Sequence, residues 1–209
     1  MAAASSPNPW GGRQRRRVGL LGGSFNPAHA GHRHVAELAL ARLGLDEVWF
    51  LVSPQNPLKP SAGMAPLDER LASARAVAAG HPRIKATDIE QALGTRYTAD
   101  TLRALKIRFP ETRFVWVMGA DNLAQISRWD RWLWIFSAVP VAILARSPYS
   151  QKALAAKAAR RMARFRVASP RGLADRRPPA WVYLHTRLHP ASATAIRMMQ
   201  KEKRHKTPI

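Results

Sequence analysis

Gly22-Gly23-Ser24-Phe25-Asn26-Pro27-Ala28-His29-Ala30-Gly31-His32-Arg33-His34 is the stretch on which the reading of this chain turns. The apolar run 18–21 before it has the length and character of a short buried strand. After it, Val35, Leu38 and Leu43 (with Ala39) recur at helical spacing. A glycine pair, an Asn-Pro turn and two histidines therefore stand where a strand hands over to a helix. The first amides of a helix have no intrahelical partner and point outward, so such a junction can hold phosphate. Gly22 and Gly23 let a ligand approach the backbone closely. His29 and His32 lie three apart and share a helix face. An imidazole pair beside free amides suits the stabilisation of charge growing on a phosphate.

Blander readings apply to the parts. A glycine pair alone is equally an ordinary tight turn. The string is neither the six-residue dinucleotide fingerprint nor a Gly-x-x-x-x-Gly-Lys-Ser/Thr loop. His29, His32 and the nearby His34 could instead ligate a metal. Such sites take three or four ligands, the chain has no cysteine to supply one, and no metal site is assigned.

Taken whole, the string resembles the signature of the nucleotidyltransferases with a histidine-x-glycine-histidine motif. Within them the chain is similar to the bacterial nicotinate-nucleotide adenylyltransferases. That resemblance implies a Rossmann-like nucleotidyltransferase fold, and ATP and nicotinate mononucleotide as substrates. The products would be nicotinate adenine dinucleotide and pyrophosphate, a step of NAD biosynthesis.

Composition sets the outer bounds. The 209 residues suffice for one well-formed core, and 46% of them are hydrophobic, as in a globular chain. The absence of cysteine excludes disulfide and thiol chemistry. No apolar run reaches the roughly 18 residues of a membrane span, and the N-terminus lacks a secretory pattern. A cytoplasmic location without membrane partners is the expectation. The formal charge of +21 gathers in residues 13–17, 160–177 and 201–206. It fits a nucleic-acid binder, an enzyme gathering polyanionic substrates, or simply a solvated basic surface. No motif of a nucleic-acid module is present, and aromatics do not interleave the basic segments.

Along the chain, residues 1–16 read as a disordered basic tail and 17–209 as a single domain. Strands are expected at about 17–21, 47–52, 83–89, 113–118, 139–145 and 181–185. Helices are expected at about 31–43, 66–79, 99–109, through the tryptophan segment to about 137, at 150–164, and from about 192. Residues 53–66 and 90–97 read as loops. This alternation argues for an α/β fold with a doubly wound, mostly parallel sheet. Ligands then sit beyond the carboxyl ends of the strands. The polar clusters 22–32, 53–59, 90–98 and 119–129, together with Arg146, all follow a strand.

The other clusters extend the resemblance to about residues 17–200. Asn56 and Lys59 lie in a loop similar to the Pro-Lys loop that contacts nucleotide phosphates. Many relatives carry a histidine before this lysine, where the present chain has Leu58. Tyr97-Thr98-Ala99-Asp100-Thr101 resembles the Tyr-Thr-x-x-Thr stretch of the nicotinate enzymes; in physical terms Thr98 and the amides after it can cap a helix, the safer reading, or receive a carboxylate, and the two are compatible. Gly119-Ala120-Asp121 matches a Gly-x-Asp whose carboxylate would accept ribose hydroxyls. Trp129 matches a tryptophan that stacks on the nicotinate ring, whereas Trp132 and Trp134 read as core. Ser192-Ala193-Thr194-Ala195-Ile196-Arg197 matches a Ser-x-Thr-x-x-Arg motif for ATP phosphates.

The resemblance thus implies catalysis by His29, His32, Lys59 and Arg197. ATP would be held by Gly22, Gly23, Ser24, Phe25, His29, His32, Asp121, Ser192, Thr194 and Arg197. Nicotinate mononucleotide would be held by Ser24, Asn56, Lys59, Tyr97, Thr98 and Trp129. Mg²⁺ would travel with ATP. Acceptors of the same superfamily, nicotinamide mononucleotide or phosphopantetheine, remain alternatives, and a homo-oligomer stays open.

Overall fold

A computed structural model describes residues 6–55, 62–145, 150–186, 191 and 193–205. At its centre is a six-stranded sheet of order β3-β2-β1-β4-β5-β6, with every neighbouring pair parallel. The strands are β1 Arg17–Gly23, β2 Glu47–Val52, β3 Ile84–Thr87, β4 Arg113–Gly119, β5 Val141–Leu144 and β6 Trp181–Leu184. The order reverses between β1 and β4, which makes the carboxyl ends of these two strands the switch point where such sheets bind ligands.

Alternation along the strands splits the core into two faces. Val18, Leu20, Trp49, Leu51, Trp116, Met118 and Ile143 pack on one side. That side is covered by α4 (Thr98–Arg108), α5 (Ala120–Gln125) and α6 (Trp132–Ala138). Leu21, Val48, Phe50, Val52, Val117 and Leu144 pack on the other, under α1 (Ala30–Leu43) and α2 (Leu67–Ala78). Burial on both sides is why these strands read as continuous apolar runs. Gly23 pairs with Val52 and Leu21 with Val117. This register sets the turn after β1 beside the loop after β2 and the start of α5.

The structure amends several expectations. Residues 90–97 are not loop throughout: α3 (Ile89–Ala92) opens there, with the Ile89 amide donating to Thr87 Oγ1 at 3.1 Å. The single helix expected over 150–164 is two, α7 (Ser150–Leu154) and α8 (Lys157–Arg161), followed by a 3₁₀ turn at Ala163–Phe165. In an unbroken helix Ala153 and Ala158 would lie about 140° apart. The break lets both be buried. Trp134 is not core: it is 38% exposed, because α6 turns Ile135, Phe136 and Ala138 inward instead. Trp132 is half-buried and packs edge-on against Phe136. Residues 6–16 lie against the amino ends of the sheet. There the Gly12 amide donates to Arg108 O at 3.1 Å, and Arg16 pairs with the buried Glu47. A final helix, α9 (Ala193–His205), follows β6. Among the described residues, no helix is long and apolar enough to cross a membrane.

Candidate active site

The N-terminus of α1 is capped by histidine rather than by Ser, Thr or Asp. His29, extended at φ −153°, occupies the cap, and its Nδ1 accepts from the Gly31 amide at 3.1 Å. Its own amide donates to His32 Nδ1 at 3.2 Å. The two bonds form a reciprocal capping box, with imidazoles in the places usually held by a hydroxyl and a carboxylate. They also fix chemistry. A nitrogen that accepts carries no proton, so in the neutral imidazoles the N–H is on Nε2. The rings lie 4.0 Å apart between centroids. Gly31 is required by this pairing: a Cβ there would come within 2.9 Å of the His29 ring and 3.3 Å of Ala191 O.

The turn before the histidines is held from below. A Cβ on Gly22 would meet the Trp116 ring at 2.5 Å, so the indole lies directly beneath the strand end. Trp116 in turn meets half-buried Trp129 edge to face, 6.3 Å between centroids. The Phe25 side chain is turned into the core. Its ring is 2% exposed, packed on His32 at 4.7 Å and Phe50 at 5.2 Å. An apolar ring gains more in this core than at a polar ligand, which leaves the Phe25 backbone to face the turn. The Ala28 amide donates to Ser73 Oγ on α2 at 3.0 Å.

The turn after β1 and the last helix meet here. Arg197 donates through Nη1 to Asn26 O at 2.5 Å and through Nη2 to Thr194 Oγ1 at 3.2 Å. The motif on α9 therefore stands against the turn after β1, and Ala191 lies over Gly31. Asp121 occupies the first turn of α5 after β4, half-buried.

Across the turn, α4 begins at Thr98, with Tyr97 in the cap position and making no side-chain cap bond. Thr98 is thus the first helical residue, not the N-cap. The fixing hydroxyl is that of Thr101, which donates to Glu90 Oε1 at 3.0 Å and lies 2.9 Å from Thr95 Oγ1. Glu90 is buried, and burial pushes its carboxyl above the ordinary range against the opposing hydrogen bonds of Thr101 and Ser53. Pro54, Gln55, Thr95 and Arg96 line a cleft of about 260 Å³ between the loops after β2 and before α4. Asp100 in the first turn of α4 binds Arg131 at 2.7 Å, and Arg131 also pairs with Asp130, next to Trp129.

The described residues thus bring His29, His32, Gly22, Gly23, Ser24, Asp121, Trp129, Thr194 and Arg197 to one end of the sheet, with Tyr97 and Thr98 across from them. Asn56, Lys59, Arg146 and Ser192 lie outside the described residues. Among those described, no three His, Asp or Glu side chains converge as a metal cage. Sequence reasoning missed two residues. Glu90 gave no signal beyond its place in the polar cluster 90–98 that follows a strand. Arg70, 2% exposed, sits at helical spacing in line with Leu67, Leu71 and Ala74, a charged residue within an apolar stripe.

Comparison with known proteins identifies the family and the fold. Residues 20–199 match the family described as cytidylyltransferase-like. A Cereibacter sphaeroides protein named "Probable nicotinate-nucleotide adenylyltransferase" is 56% identical over 180 residues, 86% of this chain and 96% of its own. One of the same name from Gluconacetobacter diazotrophicus is 49% identical over 206 residues, 98% of this chain and 95% of its own. Solved structures of Plasmodium falciparum nicotinic acid mononucleotide adenylyltransferase share the fold. The complex with APC gives a TM-score of 0.63 at 16% identity, covering 88% of this chain and 83% of that one. The complex with NaAD gives 0.64 at 15% identity, covering 90% and 89%.

Proposed function

Because the chain belongs to the cytidylyltransferase-like family and, within it, to the nicotinate-nucleotide adenylyltransferases, we infer that it transfers the adenylyl group of ATP to nicotinate mononucleotide. The products are nicotinate adenine dinucleotide and pyrophosphate, in NAD biosynthesis. The observation that carries the reading at the level of residues is the histidine-capped start of α1, joined to the last helix through Arg197 and Asn26.

A phosphate oxygen of nicotinate mononucleotide attacks the α-phosphorus of ATP. The bond from that phosphorus to the bridging oxygen of the β-phosphate breaks, and pyrophosphate leaves. The attacking phosphate is already ionised, so no side chain need accept a proton. Catalysis is then positioning and charge stabilisation. The Nε2–H groups of His29 and His32 donate to the phosphate oxygens on which charge grows. Arg197 and Lys59 add cationic charge, Arg197 with a planar fork and Lys59 as a point. Gly22, Gly23 and Ser24 let the phosphates lie close to the backbone, and Ser192 and Thr194 add hydroxyls. Asp121 accepts from a ribose hydroxyl. Mg²⁺ enters on the ATP phosphates as part of that substrate, in keeping with its preference for phosphate oxygens over an all-protein cage. The nicotinate carboxylate is received by the free amides at the start of α4, next to Tyr97 and Thr98, and Trp129 and Asn56 complete that pocket.

Pyrophosphate release with ATP and Mg²⁺ tests the reading, with nicotinate and nicotinamide mononucleotide compared as acceptors. A strong preference for the acid is expected. Equal use would discard the carboxylate pocket, and activity with neither would overturn the function. His32→Ala should lower kcat by about 10²–10³-fold, the cost of losing one donor to a developing charge. Far-UV circular dichroism should remain that of a folded chain.

A further inference from the structure

We propose that Arg70 is a positioning residue for adenylyl transfer, one guanidinium that locks the turn after β1 to both ends of the connection between β2 and α2. Its Nη1 donates to Ser24 O at 2.8 Å and to Ser53 O at 2.7 Å, and its Nη2 to Pro54 O at 2.9 Å. Its Nε donates to Ala65 O at 2.9 Å. Four backbone carbonyls from three segments therefore converge on a side chain that is 2% exposed.

Among the described residues Arg70 has no carboxylate partner within ion-pair distance. Its charge is solvated by peptide dipoles, and burial pulls its pKa below the ordinary guanidinium value. A purely structural role would be filled at less cost by an apolar side chain of similar volume. The buried cation instead dictates peptide orientation. In a planar trans peptide the C=O and N–H point in opposite directions. Drawing Ser24 O toward Arg70 therefore turns the Phe25 amide away from it. The guanidinium sets the direction of a donor in the very turn that precedes His29 and His32. The same side chain holds Ser53, whose side chain bonds the buried Glu90 near the start of α4. Both substrate-facing regions of the site thus share one anchor.

Lysine cannot reproduce this. An ammonium has three donors radiating from one point, whereas the observed set needs a flat fork reaching four acceptors. Nor can the sites relax without cost, because removing Arg70 takes the donor from four part-buried carbonyls at once.

The proposal rests on the adenylyl-transfer reading, and its test separates the two. Arg70→Lys, Arg70→Ala and a packing control on the same helix, Ala74→Gly, are compared with wild type. Kinetics are measured well below each melting temperature and normalised to folded protein. Hydrogen exchange is followed in peptides spanning 22–28, 51–55 and 140–145. Arg70→Lys should lower kcat at least ~10-fold and Arg70→Ala ~100-fold, the scale of a misplacement near 1 Å. KM for each substrate should move less than threefold, and Ala74→Gly should keep kcat within twofold. In Arg70→Lys, exchange should quicken in 22–28 and 51–55 together and stay unchanged in β5. Near-normal kcat in Arg70→Lys, or equal losses in Ala74→Gly, would overturn the proposal. So would exchange that quickens uniformly or in one segment alone. If Arg70→Ala fails to fold, Arg70→Lys decides. If wild type releases no pyrophosphate, the functional reading falls, and the exchange pattern alone decides whether Arg70 couples the two segments.

Discussion

Replacing Gly31 by alanine should separate catalysis from stability. The added Cβ would lie 2.9 Å from Nδ1 and Cε1 of His29. Carbon contacts are comfortable at about 3.5–4.0 Å, so the ring must retreat by about 0.6 Å or more. Ala191 O, 3.3 Å from the same Cβ, narrows the other way out. The retreat stretches the 3.1 Å cap bond from the Gly31 amide toward about 3.7 Å, beyond a useful hydrogen bond. Losing a cap costs about 0.5–2 kcal/mol. Alanine in place of glycine returns about 0.4–1 kcal/mol by restricting the unfolded chain. The net change lies between about 0.5 kcal/mol of stabilisation and about 1.6 kcal/mol of destabilisation, a fall in Tm of about 6 °C at most for a domain of this size. Activity should suffer far more. His29 is displaced, and its neighbour His32, 4.0 Å away between ring centroids, moves with it. A misplacement near 1 Å costs about 10²-fold in kcat, or about 2.7 kcal/mol in the barrier. Thermal melts and steady-state pyrophosphate release read the two effects in one preparation. A Gly31→Ala protein with kcat within threefold of wild type would refute the reasoning. So would a Tm lowered by more than about 10 °C with normal kcat per folded molecule.

Gly22→Ala should behave oppositely, because its Cβ would strike the Trp116 ring at 2.5 Å. Overpacking of this kind costs about 1–3 kcal/mol, and a denaturant midpoint equal to wild type would contradict it. Trp129→Ala should raise KM for nicotinate mononucleotide about tenfold and leave KM for ATP unchanged, since an aromatic stack is worth about 0.5–1.5 kcal/mol. An equal rise for both substrates would remove the stacking role. Glu90 has its pKa raised by burial above an ordinary value near 4.5, so the native state holds more protons than the unfolded chain between the two values. Stability contributed by Glu90 is therefore full at low pH and lost as pH rises through the raised value. Relative to Glu90→Gln, wild type should lose stability from about pH 4 upward in urea melts. A difference that stays flat or grows with pH would count against it.

The sheet was legible because its strands are buried on both faces and so appear as unbroken apolar runs, β2 with the bounds observed. The histidine pair was legible because a strand, a glycine turn and a helix start occur in immediate succession. What escaped reading depends on distant partners. Arg70 takes its meaning from carbonyls of Ser24, Ser53, Pro54 and Ala65, none of which has a side chain that advertises the contact. Glu90 is defined by Thr101, a residue eleven positions later and on another helix. Local alanine content favoured one helix across 150–164, yet packing broke it so that Ala153, Ala158 and Ala159 could all turn inward. Trp134 was misjudged on size alone, since bulk says nothing about which side of α6 faces the sheet.

The bond from Arg197 to Asn26 joins residues 171 positions apart. Such a pairing is among the slowest to form in a folding chain, because so much backbone must be ordered before its ends can meet. During synthesis, β1 to β5 leave the ribosome and can begin to pair before Arg197 has been added. Until it arrives, the nucleotide-binding end of the sheet lacks one of its cations and the carbonyl of Asn26 lacks its donor. The turn after β1 would thus gain this contact only after all six strands of the sheet have been made.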